Sequence, residues 1–138
     1  MEGGHEMKKT FLIFIVLSLF STTSVFAWGN ICEDAKETPY MTAVQLEKFF
    51  KDELRGNSYS GKGVVRDVRP YGSSEYVVVV DCLNDVLINV VVSSSSAKDL
   101  KIGDNVQFSG RCAHTFRRAY RDTQKTYQLF ELQGGDVR

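Results

Sequence analysis

The chain is poor in the residues that most catalytic and metal sites depend on. Its 138 residues contain two histidines, three cysteines, two prolines and one tryptophan. One histidine, His5, falls in a stretch expected to be removed, so His114 stands alone. A general base needs an oriented partner and a nearby nucleophile, and none is spaced around His114. No two cysteines stand in the close pair that zinc sites use, so no metal and no cofactor is expected. Charge of one sign is also missing: 17 basic residues balance 17 acidic ones. This argues against a generic polyanion binder, although it leaves room for a local asymmetry. Long apolar runs are absent too. The longest uninterrupted one is Phe11 to Leu17, well short of the roughly 20 predominantly apolar residues a spanning helix needs.

That short run has a different reading. Lys8 and Lys9 precede it, serine and threonine dilute the residues after it, and Val25-Phe26-Ala27 supplies a small-x-small site. This is the order of a secretory signal peptide over residues 1–27. Residues 1–6 form an upstream extension, because Met7-Lys8-Lys9 is the more natural start. Around Cys32 the residues of a lipid-attachment box are in the wrong order, with Ile31 directly before the cysteine and Gly29 two further back. The expectation is an exported protein, periplasmic or secreted. Cleavage would remove two lysines and two glutamates and keep the chain neutral.

Past the leader, residues 28–40 read as a polar arm, residues 41–133 as one domain and residues 134–138 as a tail. Thr42 looks like a helix N-cap, with Gln45 completing a capping box. Apolar residues at 43, 46, 49, 50 and 54 keep helical spacing on one stripe, which Gly56-Asn57 closes. Beyond it the pattern turns to strands. Val64, Val65 and Val68 break phase, as at a bulge. Residues 76–83 are a valine-rich run around Asp81, and Leu83-Asn84-Asp85 is a tight turn. Val86, Ile88, Val90 and Val92 then share a face, as do Val106, Phe108, Gly110 and Cys112. Residues 113–126 read as a long polar loop before a fifth strand at 126–132. Five short strands after one helix, with glycine inside the first and fourth where a small barrel must bend, predict a mainly β fold. It would be the five-stranded Greek-key barrel of the OB-fold type. A five-stranded meander packed on the helix is the rival.

The segments GKGVVRDV, YVVVVDC and LKIGDNVQFSGRC resemble those of the exported bacterial OB-fold proteins grouped as tRNA_anti-like, over about residues 43–132. The chain departs from that pattern at Asp67, where a second glycine often falls, and in a longer, more basic segment before the last strand. The resemblance implies an OB-fold; its motifs describe barrel turns and carry little about activity.

Three cysteines cannot all pair within one chain. In such a barrel Cys82 and Cys112 would lie at the same end on the inward face. One strand between them puts their Cα atoms about 10 Å apart, where a disulfide needs less than about 7 Å. Barrel curvature could close that gap, and Cys32 on its arm could reach either. Cys82–Cys112 is the expected pair, with Cys32 a possible partner and buried free thiols the alternative.

One segment stands out. Residues 111–125, RCAHTFRRAYRDTQK, hold Arg111, His114, Arg117, Arg118, Arg121 and Lys125 against a single acid, Asp122. Phe116, Tyr120 and Tyr127 are interleaved. In an OB-fold this joins strands four and five and frames the ligand groove, with Tyr71 and Tyr76 at the first hairpin as an opposite wall. Arginines with aromatics suit single-stranded nucleic acid, and equally anionic glycans, lipid head groups or an acidic protein; a merely solvated loop is the plainer alternative. The sequence therefore predicts an exported, non-enzymatic binding or accessory module for an anionic ligand or an envelope protein partner. A single-stranded nucleic-acid binder is the alternative.

Overall fold

A computed structural model of the protein describes residues 28–93 and 95–138. The expected leader, residues 1–27, lies outside the described residues.

Five strands close into a barrel: β2 (Ser58–Tyr71), β3 (Glu75–Asp81), β4 (Val86–Val92), β5 (Asn105–Ala119) and β6 (Thr126–Val137). Their order is β2-β3-β4-β6-β5, and β5 returns to pair with β2. Every pairing is antiparallel except β4 with β6. The expected OB-fold architecture is therefore the one the chain has, and the meander is excluded because β4 neighbours β6 rather than β5.

Closure requires β2 to change partners along its length. Residues 58–64 pair with β5 and residues 64–71 with β3, with a register shift between Val65 and Asp67. Gly63 sits at the changeover, where a Cβ would lie 2.5 Å from the Asp81 carbonyl oxygen. Only a residue without a side chain lets the two backbones approach so closely. The bulge turns Val65 inward to join Val78, Val80, Val86, Ile88, Val90, Phe108, Phe130 and Leu132 in the core. Each such side chain contributes about 1.5–3 kcal/mol on burial.

The helix is α2, Ala43–Phe49, and its last stretch, Phe50–Leu54, widens so that Arg55 N donates to Phe50 O at 2.8 Å. Its capping box is complete: Thr42 Oγ1 accepts from Gln45 N at 3.2 Å, and Gln45 Oε1 accepts from Thr42 N at 3.0 Å. Leu46, Phe50 and Leu54 are buried, and the Phe50 ring lies 6.5 Å from that of Phe130.

Four sequence expectations need correction. The arm is not a free polar segment. Residues Gly29–Asn30 form a short strand, β1, parallel to β2, followed by a helical turn, α1 (Ile31–Asp34), and a 3-10 turn over Thr38–Tyr40. Ile31, Ala35 and Thr38 are fully buried against the barrel. The disulfide is Cys32–Cys82, with Cα atoms 5.5 Å apart, and Cys112 is a buried free thiol. The reason lies in the register. Cys82 follows Asp81, which is level with Val64, whereas Cys112 bonds to Asn57. At about 3.3 Å per residue, these levels on β2 are roughly 20 Å apart. The polar loop is mostly strand, since β5 continues to Ala119 and only residues 120–125 turn. Finally, the tail is sheet: β6 runs to Val137, and Gln107 and Arg138 exchange backbone hydrogen bonds of 2.8 and 2.9 Å.

Candidate ligand-binding face

Outside the barrel, strand alternation places a second set of side chains on one surface. Val77 and Val79 of β3 join Val91 of β4 in an apolar cluster separate from the core, with Leu87 packed against it. The pairings extend that surface in both directions. Arg69 and Asp67 lie opposite Val77 and Val79, while Glu131 and Leu129 lie beside Asn89 and Leu87. Across β6, Arg118 faces Tyr127, Phe116 faces Leu129 and His114 faces Glu131. The face thus has an apolar floor on β3 and β4 and a basic, aromatic wall on the β5–β6 ribbon. In this architecture, the outer face of these strands between the two hairpins is the usual ligand site. Asn89 sits in the floor, and its Oδ1 is buried with no donor among the described residues.

The wall is held by pairwise contacts. The Arg118 guanidinium lies 5.1 Å from the centre of the Phe116 ring, a cation–π distance. His114 and Phe116 rings are 6.3 Å apart, and Tyr120 and Tyr127 rings 4.7 Å. A cleft of about 500 Å³ opens beside the tyrosines, lined by Arg66, Asp81, Leu87, Ala119, Arg121 and the two rings. Most acids here are already engaged. Arg66 donates twice to Asp81 Oδ2, at 2.9 and 2.7 Å. Lys125 Nζ is 3.2 Å from Asp85 Oδ2, and His114 Nε2 is 3.9 Å from Glu131 Oε2. The Tyr120 hydroxyl donates to Asp85 Oδ1 at 3.4 Å. Burial first, and then the charges of Asp85 and Asp81, push that hydroxyl above its ordinary pKa and keep it a neutral donor.

The structure therefore gathers His114, Phe116, Arg118, Tyr120 and Arg121, with Lys125 at the edge and Arg111 exposed farther along β5. It separates the others. Arg117 points the opposite way, donating from Nη2 to Thr38 O at 2.8 Å and from Nε to Gln128 Oε1 at 3.2 Å. It ties the arm to the barrel and is not on the face. Tyr76 packs against the core, while Tyr71 is exposed near the far hairpin. Sequence reasoning missed Arg66 and Leu87. Leu87 could have been found as the strand position out of phase with Val86 and Ile88. Arg66 could have been found as the charged residue at the phase break.

Comparison with solved structures agrees with the architecture. The chain is similar to a lipoprotein from Klebsiella pneumoniae subsp. pneumoniae that carries a provisional nucleic acid-binding name. Identity is 16% over 83% of this chain and 95% of that one, with a TM-score of 0.53. It is also similar to a chain of the S. pombe Stn1–Ten1 complex (16% identity, 59% of this chain and 57% of that one, TM-score 0.40). The Plasmodium falciparum SSB, solved with single-stranded DNA, is a third (19%, 62% and 96%, TM-score 0.35). The chain spans just over half the length of the S. pombe relative. No family model matches the chain, and no curated protein does. The likeness to the tRNA_anti-like group accordingly stands on its motifs, and what the comparisons establish is the OB-fold.

Proposed function

We propose that this chain is an exported, non-enzymatic OB-fold module that binds single-stranded nucleic acid across the outer face of β3 and β4. One observation carries the reading: the β5–β6 ribbon turns His114, Phe116, Arg118 and Tyr127 onto the same surface as the apolar floor. Bases stack on the Phe116 and Tyr127 rings, each stack being worth about 1–3 kcal/mol. Arg118 and Arg121 hold phosphates. The neutral net charge is no obstacle, because Asp81 and Asp85 already have cationic partners that mute their repulsion. The provisional name of the K. pneumoniae relative points the same way. The sequence alone favoured an anionic ligand or an envelope protein; the aromatic wall shifts the weight to a strand of bases. Export rests on the leader pattern and on the Cys32–Cys82 disulfide, a bond that persists in oxidising compartments. Membership of the tRNA_anti-like group is part of the same proposal.

The test is oligonucleotide binding, followed by fluorescence anisotropy over a salt series. Two phosphate contacts would give a slope near −1.4, at about −0.7 per contact for single strands. Phe116→Ala/Tyr127→Ala should weaken binding at least tenfold at every salt concentration, and Arg118→Glu/Arg121→Glu should abolish it. No binding at low salt would overturn the reading. An envelope protein or anionic glycan remains the second reading, favoured by the disulfide, and a protein interface would depend far less steeply on salt.

A further inference from the structure

β5 is paired on both sides only as far as Arg111. Gly56 N donates to Cys112 O at 2.7 Å and Cys112 N donates to Asn57 O at 2.9 Å, and there the second neighbour ends. Among the described residues, residues 113–119 have β6 on one side and no strand on the other. Tyr120 N donates to Lys125 O at 2.8 Å. Because residues of an antiparallel ladder alternate between facing the partner and facing away, Arg118 and Phe116 bond toward β6. Thr115, Arg117 and Ala119 then send their N–H and C=O groups to the open side. The Arg117 carbonyl fits this, accepting from Nη1 of Arg118 at 3.3 Å.

Opposite this edge lies α2. A cleft of about 450 Å³ separates the two, with Ala43, Leu46 and Phe50 on the helix side and Ala113, Thr115 and Phe116 on the strand side. Arg55, His114 and Arg117 border it, and Glu47 is the one acid among the described residues of its lining. We propose that an extended acidic segment of a partner protein adds here as a further strand, between β5 and α2. Main-chain bonding to a bare edge gives affinity, and alternate side-chain pockets give specificity. One row of peptide side chains would face Leu46 and Phe50, which calls for leucine or phenylalanine. The other row would stand beside His114 and Arg118, which calls for aspartate or glutamate. A second copy of this chain fits poorly, since antiparallel self-pairing sets like charges across the seam. The edge has none of the proline that usually blunts such strands.

The inference does not rest on the nucleic-acid reading. It is tested on the full chain, disulfide intact and isotopically labelled, with an end-blocked eight-residue peptide of alternating aspartate and leucine. Amide exchange at Thr115, Arg117 and Ala119 should slow at least tenfold. A lysine–leucine peptide should give no protection, and N-methylation of alternate peptide amides should weaken binding at least tenfold. Arg55→Glu should weaken the peptide about tenfold and leave oligonucleotide binding unchanged. Three results would overturn the proposal: no protection of those amides at millimolar peptide, equal protection by the lysine peptide, or a peptide-free dimer protecting the same amides.

Discussion

The two hairpin tips that frame the outer face are built differently. The β2–β3 tip, residues 72–74, is exposed, and no side-chain hydrogen bond among the described residues ties it to another element. The β5–β6 tip, residues 120–125, is fastened to the end of the barrel by one acid. Asp85 accepts from the Tyr120 hydroxyl, is paired with Lys125, and also accepts from Tyr40 of the arm at 3.4 Å. A surface fixed before its ligand arrives avoids part of the ordering cost of binding. The tip rich in charge and rings is also the one the fold holds in place.

The largest test removes what holds the arm. Cys32→Ser/Cys82→Ser opens a bridge with a sequence separation of 50 residues, and should lower stability by about 4 kcal/mol in denaturant unfolding. It should also speed amide exchange at residues 120–125, because Tyr40 leaves Asp85 with the arm, and leave residues 72–74 unchanged. Equal loosening of both tips would mean that the arm does not fasten the β5–β6 tip.

Next come two adjacent arginines. Arg117→Ala removes charged hydrogen bonds to Thr38 O and Gln128 and should cost about 2 kcal/mol. Arg118→Ala should cost less than about 0.5 kcal/mol in stability, while weakening the oligonucleotide. Urea titrations of the two variants should show the split; equal stability losses would mean that Arg117 does not fasten the arm.

A third test sets the core against both tips. Burial pushes the Cys112 thiol up to about 12. The unfolded chain deprotonates this cysteine near pH 8.5, whereas the folded protein holds the proton. The contribution is therefore fully present below that pH and is lost as pH rises toward 12. The loss reaches about 1.4 kcal/mol per pH unit. Above pH 10 the Tyr59 hydroxyl, also raised chiefly by burial, acts in the same direction. Cys112→Ala should flatten the alkaline slope between pH 9 and 10, as followed by urea unfolding at each pH.

The smallest expected effect is at the free tip. Tyr71→Ala should change oligonucleotide affinity less than about threefold, against tenfold or more for Phe116→Ala, taking about 1.4 kcal/mol per tenfold. A larger Tyr71 effect would make the two tips equal walls.

The strands were legible where buried and exposed positions alternate, as in Asn105 to Cys112, and where β-branched residues are dense, as in Val86 to Val92. The helix was legible from Thr42 and its stripe. Residues 113–119 were not, because this part of the ribbon extends beyond the pairing with β2. Both of its faces carry polar or charged side chains, so the two-residue period that marks a half-buried strand is lost. The site residues were legible as a set but not by direction. Arg117 and Arg118 read alike in sequence, and only the register sends one to Thr38 and the other to Phe116. The disulfide failed for a different reason: its partner lies in the arm, whose position is set by Ile31 and Thr38 packing under the barrel.

β3 carries a further consequence. Val77 and Val79 on its outer side are 6% and 8% exposed, almost as buried as Val78 and Val80 within. A one-residue slip ordinarily turns a strand's apolar set out to water; here it would exchange valine for valine. The pattern of β3 cannot choose its own alignment, so the choice falls to the bulge beside Val65, the Arg66–Asp81 pair and the neighbouring Cys82. Those determinants come from β2 and the arm, and closure adds the β2–β5 and parallel β4–β6 pairings between distant parts of the chain. In time rather than space, the β3–β4 hairpin can form early but wait in either register, and the barrel folds at the pace of its most distant contacts.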